Sequence, residues 1–216
     1  LDGVMVAGGG EALAVRNCCP DLPLFGSAAL NVFNYRAVRN YGRLFSGLTL
    51  SQELSGEQMR SLVRYARSDR SPALECIVHG AVELMVSEDC LCRTHAGMPD
   101  PSRAWTGIRD ERGRIFPVTI DAACRTHVFN AVDTCLIDRI PELLAMEFDA
   151  LAIDLRRRSG DSATVLAASY REAIERTASG DPGIEQILAA AKDRVKKLAA
   201  GGITAGHYLQ GVPEQG

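Results

Sequence analysis

The chain has 216 residues, 46% hydrophobic and 24% charged, which is enough to bury one core of ordinary domain size. Its formal net charge of -3 excludes a global basic field that would draw nucleic acid or an anionic membrane by charge alone, although a local basic patch is compatible with it. No apolar run approaches the roughly 20 residues that span a bilayer and no secretory leader pattern is visible, so the cytoplasm is the expected compartment. Seven cysteines, an odd number without secretory features, point to thiols kept reduced rather than to a disulfide framework.

In chain order, residues 2–7 read as a buried strand, Gly8, Gly9 and Gly10 as a tight turn, and residues 11–17 as a short helix ending at Cys18 and Cys19 before Pro20. The same order repeats with a strand at 22–26 and a helix at 31–40, then a strand at 44–50 and a helix at 55–67. Ser55 is the expected N-cap of that last helix, with Gln58 as its capping-box partner. Residues 74–78 form another buried strand, in which Cys76 is a core residue. A helix is expected at 140–146, a strand at 150–153 and a helix at 162–177. Strands separated by helices imply parallel pairing, in a barrel or an open doubly wound sheet.

Between residues 81 and 130 the helical period disappears, and 109–118 reads as a hairpin turned around Glu111, Arg112 and Gly113. Cys90, Cys92 and Cys124 lie in this insert with His95 and His127, and Cys135 follows it closely. Long ordered connections inside a compact α/β domain are commonly functional, which makes this stretch the expected seat of chemistry.

The run Glu75-Cys76-Ile77-Val78-His79-Gly80-Ala81, ending at Cys90, resembles the signature of peptidase family U32. Asp133-Thr134-Cys135-Leu136-Ile137 with Ile140-Pro141-Glu142-Leu143, then Ile153, Asp154 and Arg156, Tyr170 to Ile174, and Gly206-His207-Tyr208 with Gly211, continue the resemblance in order. It implies a TIM-like (β/α) barrel with a cysteine-bearing insert at 81–132. It also implies that the chain opens at Leu1 on the third strand, leaving an incomplete barrel that another chain or a second copy would complete.

Relatives in the family include proteins that hydroxylate RNA bases or a quinone precursor without molecular oxygen, using a four-iron four-sulfur cluster on four cysteines. The resemblance therefore implies a hydroxylation or redox enzyme acting on RNA or on an aromatic small molecule. A peptidase with a cysteine or metal site, and a non-catalytic module that has lost its cluster, are the alternatives. Cys90 and Cys135 fall at family ligand positions, but Glu83 stands seven residues before Cys90 where the family has cysteine, and Ser102, ahead of Trp105, takes the place of another. The expected cofactor set is Cys90, Cys92, Cys124 and Cys135. The spacings Cys90-Leu-Cys92-Arg-Thr-His95 and Cys124-Arg-Thr-His127 leave zinc as an alternative metal.

Barrel geometry sends side chains at strand C-termini toward the mouth, which nominates Asn31, Glu53, His79, Asp154 and Arg156 as site residues. His79 is the expected general acid or base, against the plainer reading of a ring that satisfies the turn at Gly80. Arg156 is either an anion fork or one member of the solvated run Arg156-Arg157-Arg158. Gly8 to Gly10 either cradle a phosphate or form a tight turn, and Glu11 disfavours the first. Residues 184–197 read as an outer helix whose Lys192, Arg194, Lys196 and Lys197 form a solvated face or an RNA backbone contact.

Overall fold

A computed structural model describes residues 1–67, 71–94, 107–156 and 158–211, with Cys92 described by its backbone alone. His95, Ser102, Trp105 and Arg157 lie outside the described residues. The first half alternates strand and helix: β1 (Val4–Val6), α1 (Gly9–Cys18), β2 (Leu24–Gly26), α2 (Tyr35–Tyr41), β3 (Gly47–Thr49), α3 (Gly56–Ala66) and β4 (Ala73–Gly80). β5 (Glu83–Ser87), the short α4 (Leu91–Thr94), β6 (Gly107–Arg109), β7 (Ile115–Ile120) and β8 (Thr126–Phe129) form the insert. β9 (Asp133–Cys135), α5 (Ile140–Ala145), β10 (Ala150–Ile153), α6 (Gly160–Ala178), α7 (Ile184–Lys196) and β11 (Ile203–Thr204) follow.

In α3 local capping chemistry and an apolar face agree. α3 starts at a complete capping box, Ser55 Oγ accepting from Gln58 N–H at 3.2 Å and Gln58 Oε1 accepting from Ser55 N–H at 2.8 Å. Its buried Met59, Leu62, Val63 and Ala66 recur at the three-to-four spacing that faces one side. α6 presents Leu166, Ser169, Tyr170 and Ala173 inward in the same way, and α7 presents Leu188, Ala191 and Val195. α1 begins at Gly9, so Gly9 and Gly10 belong to its first turn rather than to a separate loop. Glu11 Oε2 accepts from Ala7 N–H there at 2.7 Å, placing a carboxylate where a phosphate cradle would need amides.

These elements build a mixed α/β fold around a mostly parallel sheet with the order β1-β2-β3-β4-β9-β11, β10 pairing separately with β4. The β1–β2, β2–β3, β3–β4, β4–β10 and β9–β11 pairs are parallel, as the strand and helix alternation predicts. β4 and β9 pair antiparallel, His79 opposite Cys135 and Gly80 opposite Thr134. The barrel expected from the resemblance is not formed among the described residues: β1 and β11 end the strand path without pairing to each other. The expected hairpin is present as β6–β7, within a separate antiparallel sheet of order β5-β8-β7-β6. The core lies between the parallel sheet and its helices, with Leu24, Leu48, Leu74, Ile140, Leu143 and Leu166 among its fully buried members.

Candidate functional site

Three strand ends meet at one place. His79 near the end of β4 pairs with Cys135 of β9 and with Ile153 of β10, and its carbonyl accepts from Asp154 N–H at 2.8 Å. Gly80 closes this junction with φ +138°, and a Cβ on it would lie 2.6 Å from Asp154 Cβ, so only glycine lets β10 come this close. Asp154 then turns its carboxylate to Arg156, Oδ1 accepting from Nε at 3.0 Å and Oδ2 from Nη2 at 2.7 Å. This two-point fork fixes the Arg156 guanidinium although its side chain is 69% exposed. Arg158 sits deeper, donating to Asp133 Oδ2 and, at 2.9 Å, to the carbonyl of Leu198.

His79 itself is enclosed, with 1% of its surface exposed. Tyr170 Oη, which donates to the Val78 carbonyl at 2.9 Å, lies 3.5 Å from His79 Nδ1 and 3.6 Å from Cys135 Sγ. His79 Nε2 is buried and has no hydrogen-bond partner among the described residues. Desolvation pulls the imidazole pKa down to about 4; Asp133 and Asp154 oppose the shift and Arg158 adds to it. The ring is therefore neutral at pH 7, an internal hydrogen-bonding group rather than a surface acid.

Two small pockets adjoin this cluster. One, of about 90 Å³, is bounded by Asp133, Asp154 and Arg158 on the parallel sheet and by Pro117 and Asn130 of the insert and its return. The other, of about 70 Å³, is bounded by Gln52, Asn130, Thr134, His207 and Tyr208. Both are smaller than the roughly 300 Å³ at which enclosed ligand pockets begin, and suit a phosphate or the edge of a ring. Tyr208 ties this wall down by donating to Glu142 Oε2 at 2.9 Å. Glu53 and Asn31, nominated from sequence, are exposed and line neither pocket. Asp154, Arg156 and His79 do converge at one strand junction.

The cysteines are distributed differently. Cys90 and Cys124 are joined by a disulfide, with Cα atoms 5.3 Å apart, which corrects the expectation that all thiols are reduced. The reason is the β5–β8 register, which returns the 121–125 turn to the strand end at Cys90. Cys135 is buried at the β4–β9 junction, and burial raises its thiol pKa. Cys76 is a core residue as expected, whereas Cys18 and Cys19 are exposed. Glu83, where the resemblance places a ligand cysteine, accepts from His127: Nδ1 lies 2.9 Å from Glu83 Oε1, and Nε2 lies 3.4 Å from Asp121 Oδ2. Among the described residues no three His, Cys, Asp or Glu side chains gather as a metal site. With Cys90 and Cys124 spent on each other and Cys135 in the core, the described thiols do not fit a four-thiolate cluster in this state. The zinc alternative meets the same geometry, since His127 already has a carboxylate on each ring nitrogen.

Sequence reasoning did not single out Asn130, Arg158 or the Glu83–His127 pair. The signal available for Arg158 was its place in the run Arg156-Arg157-Arg158, of which Arg158 meets Asp133.

A mixed α/β protein with a polar cluster at the ends of its parallel strands, walled by an antiparallel insert, is the class these observations define. The chain belongs to peptidase family U32, whose model matches residues 1–215. It is similar to tRNA hydroxylation protein P of Escherichia coli (strain K12), 25% identical over 256 aligned positions that cover 95% of this chain and 54% of that protein. The Haemophilus influenzae protein of the same name is 24% identical over 260 positions, with the same coverage. The chain thus spans about half the length of the curated relatives it matches. No solved structure matches it. No described helix is long and apolar enough to cross a membrane.

Proposed function

We propose that the chain is an RNA-directed member of family U32 that takes part in hydroxylation of a tRNA base, with the β4–β9–β10 junction as the surface that receives the RNA. The observation that carries this reading is the Asp154–Arg156 fork: a solvent-exposed guanidinium fixed at two points by a carboxylate residue that lines a pocket of about 90 Å³. Similarity across 95% of the chain to tRNA hydroxylation protein P supports RNA as the substrate class. Arg156 would hold a backbone phosphate, Asp154 would keep it from collapsing onto the protein, and Asn130 and Thr134 would meet ribose or base edges. His79 would act from beneath as a neutral positioning group for this junction. Glu53 would approach the RNA only from the outer loop.

Among the described free thiols, three sit in environments that disfavour a cysteine peptidase. Desolvation pushes Cys76 up to about 12, burial raises Cys135, and Cys18 beside Cys19 raises that thiol, the opposite of an activated nucleophile. The test is the affinity of the purified protein for bulk tRNA against salt. Arg156→Ala should weaken binding at every sequence alike and reduce the slope of log affinity on log salt by about 1. Equal affinity and slope in the two proteins would remove Arg156 from the RNA surface.

A further inference from the structure

We propose that Cys90 and Cys124 form a reversible dithiol–disulfide couple that fastens the start of α4 to the turn before β8 within the insert and is opened by a dithiol reductant. This inference is independent of the RNA reading. The bond joins the segment after β5 to the turn before β8, across 34 residues of sequence. Both cysteines are partly exposed, so an attacking thiolate can reach the sulfurs, whereas Cys76 and Cys135 are enclosed.

The two sides of the bond differ in what else holds them. On the Cys124 side, Asp121 Oδ1 accepts from Ala123 and Arg125 N–H at 2.9 Å each, and its carbonyl accepts from Cys124 N–H at 2.9 Å. That turn keeps its shape without the bond. On the Cys90 side, α4 has four residues and is anchored through Leu91 N–H to Thr126 Oγ1 at 3.1 Å and Thr126 Oγ1 to the Asp89 carbonyl at 2.6 Å. A helix of one turn does not stand on its own hydrogen bonds, so the bond adds a covalent restraint to these anchors. The same strand pair continues to the pocket wall, where Asn130 N–H donates to the Val82 carbonyl at 2.8 Å, and Val82, Leu84 and Asn130 line the smaller pocket.

Opening proceeds in two exchanges. A thiolate of the reductant attacks one sulfur and releases the other as a thiol after protonation; the reductant's second thiol then displaces the remaining protein sulfur. Two electrons pass to the protein, which ends with Cys90 and Cys124 as thiols, and the reductant ends as a disulfide. Oxidised glutathione reverses the sequence.

The test is alkylation with iodoacetamide and peptide mass mapping of the whole protein after equilibration with oxidised glutathione, then with dithiothreitol, then with oxidised glutathione again. The expected result is a peptide linking residues 90 and 124, lighter by two hydrogens than the sum of its reduced parts, that is lost and then restored. Cleavage by trypsin after Arg93 should be faster in the reduced protein. Cys135→Ser should leave the linked peptide unchanged, and Cys124→Ser should show fast cleavage under both conditions. Full alkylation of Cys90 and Cys124 in oxidised glutathione, a bond from Cys90 to any other cysteine, or iron or zinc bound through these two thiols would each overturn the proposal.

Discussion

Replacing His79 by glutamine tests whether the buried ring at the strand junction is held neutral. A histidine with a folded pKa of about 4 against an ordinary 6.5 binds its proton more readily when unfolded. Its contribution is therefore fully present above pH 6.5 and is lost as the pH falls toward 4. At about 1.4 kcal/mol per unit, the whole shift corresponds to about 3 kcal/mol, of which about 2 kcal/mol is lost by a pH near 5. The groups that face the ring are Tyr170 from α6, Cys135 and Asp133 from β9, and Asp154 and Arg158 beyond β10; all of them remain in the variant. The assay is urea unfolding of both proteins at pH 7.5 and pH 5, read as the difference of differences. The native protein should lose about 2 kcal/mol more than His79→Gln across that interval. Parallel losses would refute the placement of a neutral imidazole in the core.

Gly80→Ala should cost about 1–3 kcal/mol in backbone strain and displace Asp154, so weaker tRNA binding should accompany the lower midpoint in denaturant. Ser55→Ala removes one half of the capping box and should destabilise the protein by about 1 kcal/mol, measured by the same unfolding curves. Leu143→Ala opens a cavity beneath α5 at a fully buried position, and a loss of about 2–5 kcal/mol is expected by thermal or chemical melts.

The features legible in the sequence were those set by local chemistry. The capping box at Ser55 and Gln58, the short helix that begins at Ile140 and the strand Ala150–Ile153 each follow from a few adjacent residues and were placed within a residue or two. The hairpin at β6–β7 was announced by Gly113, whose φ of +77° is the left-handed conformation the turn requires. Long-range pairing was not legible. Nothing local tells that β9 meets β4 antiparallel at His79 and Cys135, or that β10 takes the parallel place beside β4.

The site follows the same division. Asp154, Arg156 and His79 were nominated because strand ends converge in α/β folds, and the structure brings them together. Glu53 obeys the same rule of position, yet it falls on an exposed loop residue while Gln52 turns to the pocket. The thiols were misjudged in state because Cys90 and Cys124 meet through the β5–β8 register, which spacing cannot supply. Cys18 and Cys19, placed from sequence at the end of a short helix, lie exposed at the end of α1.

The most direct measurement of the RNA reading is the mass spectrum of tRNA nucleosides from cells that lack the gene for this chain, with the native protein restored and, separately, with Arg156→Ala restored. The expected result is a nucleoside heavier by one oxygen that returns with the native protein and is reduced with the variant. Nucleoside profiles unchanged by the native protein would contradict a role in tRNA hydroxylation.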